Sequence, residues 1–151
     1  MLLIALAALA ISQVYGQVGL GTFVPWSHLT SAVDANGIRH DGKEYPHGKH
    51  PPWLDDIKEA YSPHYPYGDR AQHNQGRGVF RLTLNLQTGT VTNVAIIKST
   101  GVGSLDGCVR SAFRRWRWKP GKWKEVDMPV RFQLGRHPAN VPGAISLPKR
   151  S

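Results

Sequence analysis

The sequence contains only one cysteine, Cys108, in 151 residues. A single cysteine excludes an internal disulfide, so a hydrophobic core must hold the fold together. Cys108 falls on the apolar side of a predicted helix, which indicates a buried thiol and not a reactive one. A chain of this length has room for one small domain with additional segments.

Patterns typical of catalysis are absent as well. No serine lies in a nucleophile elbow, and the predicted core holds neither a Cys/His pair nor a pair of carboxylates. The glycine-rich loop Ser99–Ser104 follows a strand and precedes a helix, but Asp106 stands where a dinucleotide fingerprint has its third glycine. We therefore predict a turn and a helix start there, no bound cofactor and no enzymatic activity.

One segment gathers residues that can ligate metals, namely His40, Asp41, Glu44, His47 and His50. Their spacing matches no established ligand pattern, and the segment shows no periodicity. We predict solvated loop side chains and no metal site.

Acidic residues are few, ten against nineteen lysines and arginines, and the net charge is +9. The whole excess lies between Tyr65 and Arg136. Such a surface fits nucleic acid, anionic lipid or an acidic protein partner, and charge alone does not choose among them. The run Arg114–Lys119 combines Arg and Trp as nucleic-acid binders do. Because Trp116 continues an apolar helical stripe, however, we favour a structural role for this run.

The N-terminus carries no acidic or basic side chain before His28, and Met1–Ile11 is continuously apolar. This pattern indicates export. Two alternatives remain, a signal peptide of residues 1–16 cleaved after Gly16 or an uncleaved membrane anchor. We expect a periplasmic protein, which the second alternative would hold at the inner membrane. Residues 17–52 are rich in Gly, Pro, His and charge and predict a flexible linker.

The remaining residues predict an α+β domain. Helical signals indicate two short helices over 53–62 and 68–74, and one longer helix over Ser104–Trp116 with Ser104 as its cap. Alternating apolar residues predict strands over 79–86, 90–98 and 128–134.

The first two strands are joined by a short hairpin loop in which Gly89 is predicted to take a positive φ. A three-stranded antiparallel sheet covered by the longer helix, a ββαβ core, would bury the apolar faces of both layers. Residues 136–151 show no pattern and predict a flexible tail.

The order of these motifs resembles the C-terminal domain of the TonB family, the periplasmic energy-transducing proteins of Gram-negative bacteria. The resemblance covers residues 63–135. It is carried, in the family's order, by Tyr65–Arg70, Gln75–Leu82, Ser99–Gly101, Leu105-Asp106, Trp116–Gly121 and Met128–Leu134. It implies a protein-binding module of the cell envelope that is not an enzyme.

The resemblance also implies a binding mode. The family captures a short extended segment of an outer-membrane receptor by adding it as a strand to the edge of its sheet. Carried over, the edge is Met128–Leu134, where Pro129 cannot donate to a ladder. The implied partner-binding residues are Pro63, Tyr65, Pro66, Val130, Arg131, Phe132, Gln133 and Leu134. For Tyr65 and Pro66 the favoured alternative is a structural role, because X-Pro segments set an extended backbone by themselves.

The implied partners are an outer-membrane TonB-dependent receptor with a TonB-box-like peptide, and inner-membrane motor proteins, in energy-coupled transmembrane transport. Pairing of two copies into a homodimer through edge strands would compete with peptide capture. Two alternatives remain open. One is a secreted envelope-binding module that transmits no force, and the other is a basic protein that binds anionic surfaces or, least favoured, nucleic acid.

Overall fold

The computed structural model describes residues 29–46, 49–135 and 141. The predicted signal peptide or anchor, residues 1–16, and almost all of the predicted tail lie outside the described residues. So does His47, one of the histidines weighed above as a metal ligand.

The described residues form seven strands and three α-helices. The strands are β1 Ser31–Asp34, β2 Arg39–Asp41, β3 Ile57–Glu59, β4 Gly76–Leu84, β5 Val91–Lys98, β6 Arg117–Trp118 and β7 Trp123–Phe132. The helices are α1 Pro52–Asp55, α2 Tyr67–Ala71 and α3 Gly103–Phe113, with a 3₁₀ turn at Gly42–Glu44. Within this part of the chain no helix is both long enough and apolar enough to cross a membrane.

Five of the strands form one antiparallel sheet in the order β2-β1-β7-β4-β5. The α+β class is confirmed, whereas the prediction of a three-stranded sheet is wrong. The two additional strands come from the segment 17–52, so the linker prediction does not hold for its residues 31–44. A second, two-stranded sheet pairs β3 with β6.

The two additional strands form because Asn36-Gly37 provides a tight turn between them. Gly37 has a φ of +85°, a backbone conformation that glycine adopts without strain. The carboxylate of Asp34 accepts hydrogen bonds from the amides of Asn36 and Ile38, at 2.8 and 3.0 Å. We call residues 31–41 the N-terminal hairpin.

The helix predicted over residues 53–62 is shorter than expected. It ends at Asp55, and Ile57–Glu59 forms β3 instead. The amide of Asp56 still bonds to Pro52 in the helix, but its carbonyl accepts the amide of Lys119, beyond α3, at 2.8 Å and so does not continue the helix. Tertiary pairing thus overrides a weak helical signal.

The predicted alternation is confirmed in β4, whereas in β7 Asp127 and Pro129, on the opposite face, are buried as well. Phe80, Leu82 and Leu84 of β4 are buried, and so are Met128, Val130 and Phe132 of β7. Helix α3 covers this face of the sheet, with the rings of Phe80 and Phe113 in edge contact at 6.0 Å between centroids. Full burial of each such side chain stabilises the fold by about 1.5–3 kcal/mol.

Helix α3 ends three residues earlier than predicted, at Phe113, and Ser104 does not cap it. The cap position is Val102, and the hydroxyl of Ser104 donates to the carboxylate of Asp69 at 2.8 Å. Trp116, predicted as part of the helix, lies beyond its end but is fully buried. Cys108 is half-buried, and burial raises the pKa of its thiol.

Tryptophans join the smaller elements to the sheet. The indole N–H of Trp118 donates to the carbonyl of Trp53 at 2.6 Å, and that of Trp53 donates to the hydroxyl of Thr30 at 3.0 Å. The indole N–H of Trp123 donates to the carboxylate of Asp56 at 2.9 Å. Each buried indole therefore has its acceptor, as buried polar groups require.

Candidate partner-binding site

Strand β7 is the strand to which the predicted binding residues belong, and Pro129 fixes the direction of its backbone groups. Pro129 lies opposite Val79 of β4 in an uninterrupted antiparallel register. Because proline has no N–H, this must be a non-hydrogen-bonded pair. The main-chain groups of Pro129, and of every second residue from it, therefore point away from β4.

The side of β7 away from β4 is partly taken by the chain itself. Strand β1 pairs there, with Ser31 opposite Asp127 and Val33 opposite Glu125. By the alternation set at Pro129, these are the hydrogen-bonded pairs of the β1–β7 ladder. Beyond a register shift after Val33, the amide of Ala35 donates to the carbonyl of Lys122 at 2.8 Å.

The predicted edge, Met128–Leu134, begins one residue beyond this ladder. Strand β7 as a whole lies inside the five-stranded sheet, whose outer strands are β2 and β5. The β1–β7 register ends at Ser31 opposite Asp127. Use of Met128–Leu134 as a binding edge stays a prediction.

A four-residue cluster of charges lies on the outer face of the sheet across this junction. The guanidinium of Arg39 contacts Glu125 at 2.9 Å and Asp127 at 3.3 Å. Arg81 of β4 donates to both carboxylate oxygens of Asp127, at 2.8 and 2.9 Å, and lies 3.1 Å from Glu125. The cluster therefore connects side chains of β2, β7 and β4 on the outer face of the sheet, over strand β1.

The aromatic-proline segment meets β7 at its other end. Tyr65 is fully buried, and its ring makes an edge contact with Phe132 at 5.2 Å between centroids. Its hydroxyl donates to the carbonyl of Asn74, and burial together with the nearby Asp69 raises the pKa of the phenol. These contacts favour the structural role of Tyr65.

The other predicted binding residues differ in their accessibility. Val130 and Phe132 are buried in the core, whereas Arg131 and Gln133 are half-buried. Leu134 is 36% exposed, and its amide donates to the side chain of Gln75 at 3.0 Å. Pro63 is buried, and Pro66 stands at the cap position of α2.

Sequence reasoning missed the N-terminal hairpin and with it Arg39, Glu125 and Asp127. A usable signal was present, since an Asn-Gly pair between alternating residues is a strong hairpin indicator. Asn36-Gly37 stands between Ala32-Val33 and Ile38-Arg39 in that way.

The loop Ser99–Ser104 is the turn and helix start that the sequence predicted. The carboxylate of Asp106 accepts the amide of Thr100 at 2.9 Å and its hydroxyl at 2.7 Å, and it also accepts the hydroxyl of Ser99. Burial works to raise the pKa of Asp106, but these hydrogen bonds outweigh it and hold the pKa below its ordinary value. The carboxylate thus closes the loop.

Among the described residues, no three metal-ligating side chains come together. His40, one of the histidines weighed above, lies 2.9 Å from the carboxylate of Asp34 and makes an edge contact with Trp123. It attaches the hairpin to β7.

Comparison with known proteins identifies the domain built around β4, β5, α3 and β7. Residues 61–134 match the family of Gram-negative bacterial TonB protein C-terminal domains. Residues 61–134 are therefore a TonB family C-terminal domain. The N-terminal hairpin lies outside the matched residues.

Curated relatives agree with this assignment. The chain is 32% identical over 72 residues to Protein TonB of Neisseria meningitidis serogroup C, a match that covers 48% of this chain and 26% of that protein. The TonB proteins of serogroups A and B of the same species give the same identity over the same length, with 25% of each covered. The chain thus spans about a quarter of the length of these relatives.

Proposed function

We propose that this chain is a TonB-like protein of the Gram-negative cell envelope. In this role it captures an extended segment of an outer-membrane receptor by strand addition and serves energy-coupled transport. Membership of the family supports the TonB-like role. The proposed partner is a TonB-dependent receptor, and the proposed compartment is the periplasm.

The observation that carries strand addition is the direction of the β7 backbone. The main-chain groups of Pro129 and alternate residues point away from β4, toward the side on which an incoming strand would pair. The chain already pairs a strand of its own, β1, on this side. Main-chain pairing on that side of β7 is therefore compatible with the fold.

Strand β5, an outer strand of the sheet, is a poorer site for strand addition than β7. Thr92 and Ile97 are extra residues in β5, since Val91 and Asn93 lie opposite consecutive residues of β4, as do Ile96 and Lys98. Such bulges twist an outer strand and interrupt its pairing. They disfavour capture of a long partner strand at β5.

The experiment compares Arg131→Pro with Arg131→Ala. The proline variant removes one main-chain donor on the side of β7 away from β4, whereas the alanine variant loses only the side chain. The probe is an array of overlapping synthetic peptides from the outer-membrane receptors of the source bacterium. We expect wild type and Arg131→Ala to bind the same peptides and Arg131→Pro to lose them.

Circular dichroism and urea titration must show that Arg131→Pro remains folded. A folded Arg131→Pro protein that binds receptor peptides normally would rule out strand addition at this part of β7. Binding by wild type to DNA or anionic vesicles, without binding to any receptor peptide, would favour the anionic-surface alternative.

Force transmission needs a connection to the inner membrane. We propose that residues 1–16 provide this connection. Mass spectrometry of the protein from separated inner-membrane and soluble periplasmic fractions tests this. A full-length species in the membrane fraction supports an anchored transducer that engages motor proteins. A soluble species without residues 1–16 supports a periplasmic binding module that transmits no force.

A further inference from the structure

The N-terminal hairpin places a strand of the chain itself where a partner strand would pair. Residues Ser31 and Val33 exchange main-chain hydrogen bonds with Asp127 and Glu125, the same kind of contact that strand addition uses. A partner that pairs along the whole of β7 must therefore take the place of β1.

The two ladders of β7 differ in length. The register with β4 runs without interruption over eight residue pairs, from Phe132 to Glu125. The register with β1 has four pairs and a shift between Val33 and Asp34. The β1 ladder is the shorter and less regular of the two.

The ion pairs that help to hold the hairpin are also partly exposed. Arg39 joins the cluster on Glu125 and Asp127 with a side chain that is 46% exposed, so water and salt weaken this attraction. Only Ala32 of β1 is an apolar residue of the buried core, and its side chain is small. The hairpin therefore buries little apolar surface of its own along β7.

We infer that the N-terminal hairpin can be released from β7 and that it competes there with a partner strand. A partner strand must displace the hairpin to pair with the part of β7 before Met128. This inference rests on the proposed function only for the identity of the partner. Local opening of a short element with few buried apolar contacts is a low-energy event compared with global unfolding. Release of the hairpin would expose the main-chain groups of Glu125 and Asp127 with which β1 pairs.

The hairpin also indicates which side chains a partner strand needs if it replaces β1. Opposite Val126 the core-facing position is filled by Ala32, which is 1% exposed, so a partner needs a small residue there. Departure of Arg39 leaves Glu125 and Asp127 with Arg81 alone, two negative charges against one positive charge. A partner segment with a small residue and a nearby basic residue fits this site.

Native-state hydrogen exchange tests the inference without any ligand. In the full chain we expect the amides of Val33, Glu125 and Asp127 to exchange through local opening. Those of Leu82 and Met128, which lie in the β4–β7 ladder opposite Val126 and Phe80, should exchange much later. A common exchange free energy for both sets, equal to that of global unfolding, would overturn the inference.

A peptide experiment tests displacement itself. The probe is a labelled synthetic peptide of residues 29–35, titrated into wild type, Val33→Pro and Val33→Ala. Val33→Pro lacks the N–H that pairs with Glu125, so the hairpin is released in a larger fraction of molecules. We expect it to bind the peptide at least about tenfold more tightly than wild type, because apparent affinity rises with the competent fraction.

Val33→Ala keeps the amide and is expected to bind as wild type does. A peptide with Ala32→Trp should bind none of the three proteins. Equal binding by wild type and a folded Val33→Pro protein would overturn the inference, and so would tight binding of the Ala32→Trp peptide. If these results hold but wild type binds no receptor peptide, the proposed function is wrong and the inference about the hairpin still stands.

Discussion

Strand β7 has two sides that are built differently. Toward β4 it forms a long, regular ladder whose inward face is packed under α3. Toward β1 it forms a short ladder, supplemented by charged and polar contacts around Arg39 and Asp127. One side is therefore maintained by apolar burial, which is strong and insensitive to salt. The other depends on a short backbone ladder and on partly exposed ion pairs, which contribute less and are screened by salt.

This difference separates the residues that form the core of the fold from the N-terminal hairpin that is attached to them. The family match spans residues 61–134, which contain β4, β5, α3 and β7 but not the hairpin. We expect loss of the β4 side to unfold the domain and loss of the β1 side to leave it folded. Changes placed on the two sides can test that expectation directly.

The largest expected effect is that of Phe80→Ala in β4. Phe80 is fully buried against Phe113, so its truncation should lower the free energy of unfolding by about 3–5 kcal/mol. Val33→Ala in β1, at a half-buried position, should cost less than about 1 kcal/mol. Urea titration of both variants measures the difference, and similar losses would mean that the hairpin is as integral as the core.

The two hairpin turns give a matched pair of glycine substitutions. Gly89 has a φ of +72°, and a methyl group there would overlap the carbonyl oxygen of Trp118. Gly37 has a φ of +85° with open space around it. Gly37→Ala should therefore cost about 1–2 kcal/mol from backbone strain alone, while Gly89→Ala should cost more because of the added overlap.

The readouts for this pair should also differ in location. Gly89→Ala is expected to lower the global unfolding midpoint in urea. Gly37→Ala should act mainly through faster hydrogen exchange in residues 31–41. Equal global destabilisation by the two variants would mean that the N-terminal hairpin unfolds together with the core and not separately from it.

Much of the β4 side could be predicted from the sequence, because apolar alternation reports which face of a strand is buried. Phe80, Leu82, Val130 and Phe132 follow that rule, and the positive φ of Gly89 follows from hairpin geometry. These signals are local and do not depend on distant residues.

The β1 side could not be predicted in the same way. Whether Asn36-Gly37 joins real strands depends on finding an edge to pair with, and that edge lies about ninety residues further along the chain. The cluster of Arg39 and Asp127 is likewise non-local. Strand β1 has one core residue, Ala32, which is too little apolar pattern to reveal a strand.

Acid should affect the β4 side through Asp106. Hydrogen bonds from Ser99 and Thr100 hold its pKa below the ordinary value of an aspartate in the folded protein, so the folded state binds protons less readily than the unfolded state. The stabilisation is therefore complete above about pH 4 and is lost as pH falls through the folded pKa. Replacement of the carboxylate in Asp106→Asn should cost about 1 kcal/mol at pH 7 and flatten the decline in stability below pH 4.

Urea titrations of wild type and Asp106→Asn at pH 7 and pH 3 measure this effect. The difference in stability between the two proteins should shrink at the lower pH, since wild type then loses its charged acceptor. A difference that stays constant between the two pH values would mean that the Asp106 charge does not stabilise the loop.

The smallest expected effect is that of Arg39→Ala on the β1 side. Because Arg39 is 46% exposed, its loss should lower the free energy of unfolding by less than about 1 kcal/mol. The amides of Glu125 and Asp127 should nevertheless exchange faster, since the cluster no longer restrains the hairpin. Wild type in about 1 M NaCl should approach the same exchange rates, because the Debye length is then about 3 Å. Unchanged exchange in both experiments would mean that backbone pairing and the Trp123 contacts, and not the charges, hold the hairpin to β7.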